Sequence, residues 1–368
     1  MAPLTRGLLV VGALLLVWLA LHLLLLLFAG ILLAILLRTL AAALTRYTGL
    51  PVGVSLAVVC LTLVSVLVLG GWLYAPQLAE QSDQLTETLP TVAADMTSWL
   101  RQYSWGEWVL DQFTEQVEDA DMAGQATNAA RGVINTVIAV IIVLFVGVYL
   151  AAQPAPYIRG LLYLVPLSRR VRVAETLFAI KHVLRWWLVG QVLAMTLVGL
   201  TMGIGLAVIG VPFSFLLGVL AGLFEFIPLV GPVLAVGPAL LLALAAGPQQ
   251  AVSVLILYLA VQTLESYVLT PLVQQRTVEL PPVVTITAQV ALSWLAGPIG
   301  LVVAVPLTAA AMVATQMLYV EDALDDDRAA PEFESEAQRE VAEERAHMLR
   351  EVVPASSRAP GPVSRDRA

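Results

Sequence analysis

The sequence predicts an all-α, polytopic helical membrane protein with about eight transmembrane segments, some of them Gly/Pro-broken or re-entrant. Three observations carry that expectation. Hydrophobic residues make up 59% of the 368 and charged residues only 12%, where a soluble domain carries roughly a quarter charged. Apolar runs recur at the length of a bilayer-crossing helix. Gly-Pro pairs interrupt two of the longest of these runs. A mean hydropathy of +0.87 leaves more apolar surface than the chain's own core can cover, and lipid is the medium that accepts it.

The first apolar run, residues 7–37, has no charged side chain. At 1.5 Å per helical residue it exceeds the ~30 Å hydrocarbon core, so it reads as one long tilted helix or a tight hairpin of two short ones. Arg6 before it, and Arg38 and Arg46 after it, would all fall on one side in a hairpin, and the charges favour that form. The run is too long for a cleavable signal. Further spans are expected at 52–74, 133–151 and 186–209. A long interrupted block follows at 213–246, then a span at 251–269 and a second interrupted block at 283–319.

Charge divides the chain further. Residues 77–131 carry Glu80, Asp83, Glu87, Asp95, Glu107, Asp111, Glu115, Glu118, Asp119 and Asp121 against Arg101 and Arg131. Leu78, Leu85, Leu89, Val92, Met96 and Leu100 form an amphipathic helical stripe there, and Trp99, Trp105 and Trp108 suit the headgroup level. Residues 153–185 have the opposite balance, with Arg159, Arg169, Arg170, Arg172, Lys181 and Arg185 against Glu175. Such short basic loops are retained on the cytoplasmic side, which places 77–131 outside an inner (cytoplasmic) membrane. The expected organisation is therefore N-terminal spans over 1–76, an acidic extracytoplasmic helical region over 77–131, a transmembrane helix over 132–152, a basic cytoplasmic loop over 153–185, a C-terminal transmembrane core over 186–320, and an acidic, largely disordered tail over 321–368.

Three constellations in the core carry chemistry. In the first, Phe224-Glu225-Phe226-Ile227-Pro228-Leu229-Val230-Gly231-Pro232, with Val236-Gly237-Pro238 beyond, should break a helix at membrane depth. Freed backbone groups cannot face lipid, so they line a wet cavity or are buried in protein. Glu225 is the only charged residue between Arg185 and Glu265. An acidic group at mid-span costs roughly 2.5 to 3.5 kcal/mol on insertion scales and therefore points inward or toward water.

In the second, Gln262 and Glu265 lie three apart on one helical face, followed by Ser266, Thr270-Pro271, Arg276 and Pro281-Pro282. An amide, a carboxylate and a hydroxyl at the end of a span suit a cation or a proton relay, with Arg276 placed to neutralise Glu265 or Glu279. In the third, Ala296-Gly297-Pro298-Ile299-Gly300, with Pro306 downstream, interrupts the last block as Gly231-Pro232 interrupts the earlier one. Paired broken segments point to a transport pathway. The expected pathway residues are Glu225, Gln262, Glu265, Ser266 and Arg276, and the expected helix breaks are Pro228, Gly231, Pro232, Pro271, Pro282, Gly297, Pro298 and Gly300.

Other functions have little support. There is no phosphate-cradling Gly-x-x-x-x-Gly-Lys-Ser/Thr run, no Gly-x-Ser-x-Gly elbow and no His-Glu-x-x-His pair, so no enzymatic activity is expected. The single Cys60 and the scattered His22, His182 and His347 build no metal site, and the histidines are expected to be solvated or interfacial. No cofactor is expected. A net charge of -8 gives no footprint for nucleic acid. Gly199, Gly203 and Gly205 have spacing that permits helix association, and so a homo-oligomer.

These constellations, in this order, resemble the autoinducer-2 exporter family of bacterial and archaeal membrane proteins. The resemblance rests on Glu225-Phe226-Ile227-Pro228-Leu229-Val230-Gly231-Pro232, on Gln262-Thr263-Leu264-Glu265-Ser266-Tyr267-Val268-Leu269-Thr270-Pro271, on Pro282, and on Gly297-Pro298-Ile299-Gly300 through Pro306. It covers residues 5–320 in organisation; Leu229 stands where many members have Tyr. The resemblance implies export of a signalling molecule or sodium/proton antiport. The expected function is a secondary transporter, either exporter or cation-coupled antiporter, for a small solute or ion, with a channel or a non-transporting membrane scaffold as the alternatives.

Overall fold

The computed structural model describes residues 3–66, isolated helical positions between 68 and 84, 138–269 and 280–321. In chain order its helices are α1 (Pro3–Thr48), α2 (Val52–Val66), α3 (Ile138–Ala152), α4 (Pro154–Tyr163), α5 (Arg170–Ile209), α6 (Ser214–Phe224), α7 (Val230–Ala246), α8 (Pro248–Leu264) and α9 (Pro282–Thr315). Single π-type turns, Glu265–Leu269 and Gln316–Glu321, extend α8 and α9. No strand occurs among the described residues. The acidic region 77–131 lies outside them except for Glu80, Gln81 and Gln84, as do residues 270–279, which include Pro271 and Arg276, and the residues beyond 321.

Of the two forms open over 7–37 the long helix is the one observed, not the hairpin that the charges favour: α1 is one 46-residue helix. Its sequence explains this: no proline lies between Pro3 and Pro51, and the run is dominated by strong helix formers. A turn inside it would strand backbone amides in oil. α1 ends where Gly49, at φ 73°, donates its N–H back to the Thr45 carbonyl.

Among the described residues three helices are long and apolar enough to cross a bilayer: Leu19–Thr48, Leu167–Ile209 and Pro282–Val320. A fourth crossing results if Ile138–Ala152 and Pro154–Tyr163, bent by 89°, act as one span. The sequence counts more segments because Val52–Val66, Ser214–Phe224 and Val230–Ala246 are apolar but short. In the most apolar window of each long helix only 22 to 33% of the residues are buried within the chain. The rest of that apolar surface needs lipid, and the chain is a multi-pass membrane protein.

The described residues fall into two compact units, drawn from 1–59, 143–189 and 272–368, and from 60–142 and 190–271. In the first, Leu25 and Leu32 of α1, Leu184 and Leu188 of α5, and Ala296, Val303 and Ala310 of α9 form the core. α1 and α3 meet so closely that a Cβ on Gly30 would lie 2.5 Å from Val146 Cγ1, and one on Gly147 2.7 Å from Leu33 Cδ2. His182 is buried, where a solvated or interfacial position was expected, and the neighbouring Val183 packs with Ala309 and Val313 of α9. Arg172 donates to the Met317 carbonyl at 3.0 Å, covering a C-terminal acceptor of the last helix.

In the second unit the C-terminal half of α5 packs with α6, α7 and α8 around Met202, Leu206, Leu217, Ala239, Leu242 and Val254. α5 ends in a left-handed Gly210, with Val211 N–H bonded to Leu206 O and Gly210 N–H to Ala207 O. α6 then folds back along α5 on a surface of small residues. Gly199 and Gly203 of α5 face Gly222 and Gly218 of α6, so the spacing that permits self-association is used inside the chain. Gly205 is likewise covered, by Leu257 of α8.

Candidate solute and ion pathway

The site is built where α6 gives way to α7. Pro228 lacks the N–H that would continue α6, and the chain turns through residues 225–229. Leu229 sits at φ 72°, ψ −48°, and Val230 N–H donates to Pro228 O at 2.9 Å. This is the rare positive-φ form of the γ-turn. Gly231 follows, and a Cβ there would lie 1.9 Å from Phe224 O. Only glycine lets the first turn of α7 sit against the last carbonyls of α6. Pro232 falls in the first turn of α7, where its missing N–H costs nothing. The helix then continues through Pro238, so the break is confined to residues 225–229, and the expected breakers Gly231 and Pro232 lie just inside α7.

The second break repeats this arrangement. Within α9, Gly297 takes φ 63°, ψ −146°, a conformation essentially restricted to glycine, and Pro298 starts the second half. A Cβ on Gly300 would lie 1.9 Å from Leu292 O, again a preceding carbonyl tucked against a glycine. Pro282 opens α9 in its first turn, and Pro306 leaves the helix continuous.

Glu225 caps the C-terminus of α6 and is only 3% exposed. Its carboxyl meets that of Glu265, at the start of the π-type turn after α8, within hydrogen-bonding reach. The second oxygen of Glu225, Oε2, is buried with no hydrogen-bond partner. Gln262 Nε2 donates to Glu265 Oε2 at 2.7 Å, as their spacing predicts. Ser266 is exposed and does not join them. Arg276 and Pro271 lie outside the described residues.

Two members of the cluster escaped sequence reasoning. Gln191 of α5 donates its side-chain amide to the Glu225 backbone carbonyl, both residues being buried. Its signal was a lone amide in an apolar span, which spacing within one helix cannot assign. Tyr258 lies within electrostatic reach of both carboxyls, and its position four before Gln262 and seven before Glu265 places all three on one face of α8. Two carboxyls, two amides and a phenol are thus gathered around the junction of α6 and the end of α8. No group of three or more His, Cys, Asp or Glu side chains gathers among the described residues. The cluster's chemistry suits a proton or a weakly bound cation.

Residues 8–319 match the family model described as AI-2E family transporter. The chain belongs to the AI-2E transporter family. Within that family's reach, YrrI of Bacillus subtilis, which carries a transport-protein name, is 30% identical over 253 residues, covering 65% of this chain and 71% of its own. A transport-named protein of Mycobacterium tuberculosis is 40% identical over 136 residues, 36% of this chain and 37% of its own. TqsA of Escherichia coli, named as an AI-2 transport protein, is 24% identical over 264 residues, 69% of this chain and 75% of its own. Membership of the AI-2E family makes this protein a membrane transporter and agrees with the helical architecture described above.

Proposed function

We propose that this AI-2E transporter is a secondary transporter, an exporter or a cation-coupled antiporter of a small solute or ion, in which Glu225 and Glu265 exchange a proton for a cation. The observation that carries the reading is the buried, unpartnered Glu225 Oε2 beside a second carboxyl at a helix break. An ionised carboxylate only accepts hydrogen bonds, so contact between two carboxyl groups holds one proton. A cation entering at Oε2 takes over the charge compensation that proton supplies, and the proton leaves. Gln262 holds Glu265 in place during the exchange, and the strained breaks at Leu229 and Gly297 are the points about which the short helices move. Arg276 is assigned to the same pathway as a counter-charge.

The basic segment 153–185 is placed in the cytoplasm and the acidic segment 77–131 outside, with the remaining divisions at 76, 131, 152, 185 and 320 as read from charge. AI-2, the substrate in the name of TqsA, is one candidate solute. The test is gradient-driven flux in proteoliposomes with a Glu225→Gln, Glu265→Gln double variant of retained fold. Loss of coupled flux is expected. Flux equal to the parent's removes the proposed roles of both residues.

A further inference from the structure

Deepening the proposed exchange reading, and resting on it only for its consequence in transport, we infer that Gln191 is a positioning residue that locks the tip of α6 so that Glu225 stays against Glu265. A helix leaves its last carbonyls without partners, and where they are buried each needs a donor. At the end of α6 the carbonyl of Glu225 itself receives the Gln191 amide from α5. That bond holds the backbone of the one residue whose carboxyl reaches α8. From Phe215 to Phe224 α6 is apolar, and it contacts α5 through glycine surfaces that resist separation but offer no directional contact. The Gln191 bond supplies the direction.

Among the described residues the titratable groups facing Glu225 are Tyr258 of α8 and Glu265 of the π-type turn that follows it. The proton held between the carboxyls therefore depends on the tip position that Gln191 fixes. The probe is N,N′-dicyclohexylcarbodiimide, which adds to protonated carboxyl groups in apolar surroundings, with labelling of Glu225 and Glu265 read by mass spectrometry across pH. Gln191→Met keeps the volume and removes the donor. Its labelling midpoint is expected to move by about one pH unit or more from the parent's, a tenfold change in proton affinity. Gln191→Glu donates only when protonated, so its profile is expected to follow the parent at low pH and Gln191→Met at high pH.

A residue that merely satisfied a buried carbonyl would lower the unfolding midpoint and leave the labelling profile in place. Superimposable profiles for parent and Gln191→Met overturn the inference. If Gln191→Met does not fold, a Gln191→Glu profile that follows the parent at every pH overturns it equally. The measurement needs no substrate and no flux. Shifted labelling without transport in the parent would refute the transport reading alone, and coupled flux with an unshifted profile would refute only the role of Gln191.

Discussion

Replacing Gly218 by alanine tests the packing that delivers Glu225 to its site. A Cβ at Gly218 would lie 2.5 Å from Gly203 Cα, 2.9 Å from Gly203 N and 3.0 Å from Gly199 O. All three are backbone atoms of α5, so no side chain can rotate away. Ordinary contact begins near 3.4 Å, and α6 must therefore back off from α5 by about 1 Å. Overpacking of this kind costs about 1 to 3 kcal/mol, against a gain of roughly 0.5 to 1 kcal/mol from the better helix propensity of alanine. The net expectation is a destabilisation of about 1 to 2 kcal/mol. Gly237→Ala is the control, because a Cβ there meets nothing within 4 Å inside α7, leaving only the propensity gain. Reversible unfolding in mixed detergent micelles, followed by circular dichroism, should move the two variants in opposite directions. A Gly218→Ala protein as stable as Gly237→Ala would refute the close α5–α6 contact.

Further outcomes follow from the two breaks and the carboxyl pair. Gly297→Ala places a side chain at φ 63°, ψ −146°, so a loss of about 1 to 3 kcal/mol is expected in the same unfolding assay, together with slowed flux. Leu229→Gly relieves the γ-turn at φ 72° and should stabilise the protein by about 1 kcal/mol; unchanged or lowered stability would argue against strain there. Glu265→Gln alone keeps an acceptor for Gln262 and removes the second ionisable carboxyl. Coupled flux is expected to fall at least tenfold while circular dichroism stays at the parent level. Arg172→Ala removes the donor to Met317 O, and a loss of about 1 to 2 kcal/mol is expected.

What the sequence disclosed was set by how local each signal is. Proline and glycine act through the backbone on their nearest neighbours, so the residue types alone pointed to within a turn of the breaks observed at 225–229 and at Gly297. The Gln262–Glu265 bond was legible for the same reason, being a one-turn relation on a helix. The pairing of Glu225 with Glu265 needed the lone charge of one apolar block to meet that of another, which the scarcity of charges made worth expecting but spacing could not assign. Gln191 was invisible because its partner is a backbone carbonyl 34 residues away, and a carbonyl has no sequence signature. Between the two forms open for α1, the charges leaned to the wrong one. Loop charges report on sidedness, whereas the continuity of a helix is decided by the backbone hydrogen bonds that oil will not replace.

The break at Leu229 is better explained by placement than by packing. A continuous helix over residues 214–246 would run about 50 Å, well past a ~30 Å hydrocarbon core, and would gain backbone hydrogen bonds that the turn forgoes. The chain instead accepts a non-glycine residue at positive φ, with Pro228 before it and Gly231-Pro232 after it. The halves, α6 at about 16 Å and α7 at about 25 Å, are each too short to cross alone. Folding them back at residues 225–229 turns the end of α6 into a fixed point, with the Gln191 amide on its carbonyl and Glu265 opposite its carboxyl. Strain in the backbone is thereby exchanged for the position of one acidic side chain. An arrangement serving stability alone has little use for a buried acidic side chain that leaves one oxygen unmatched and sets its carboxyl against another.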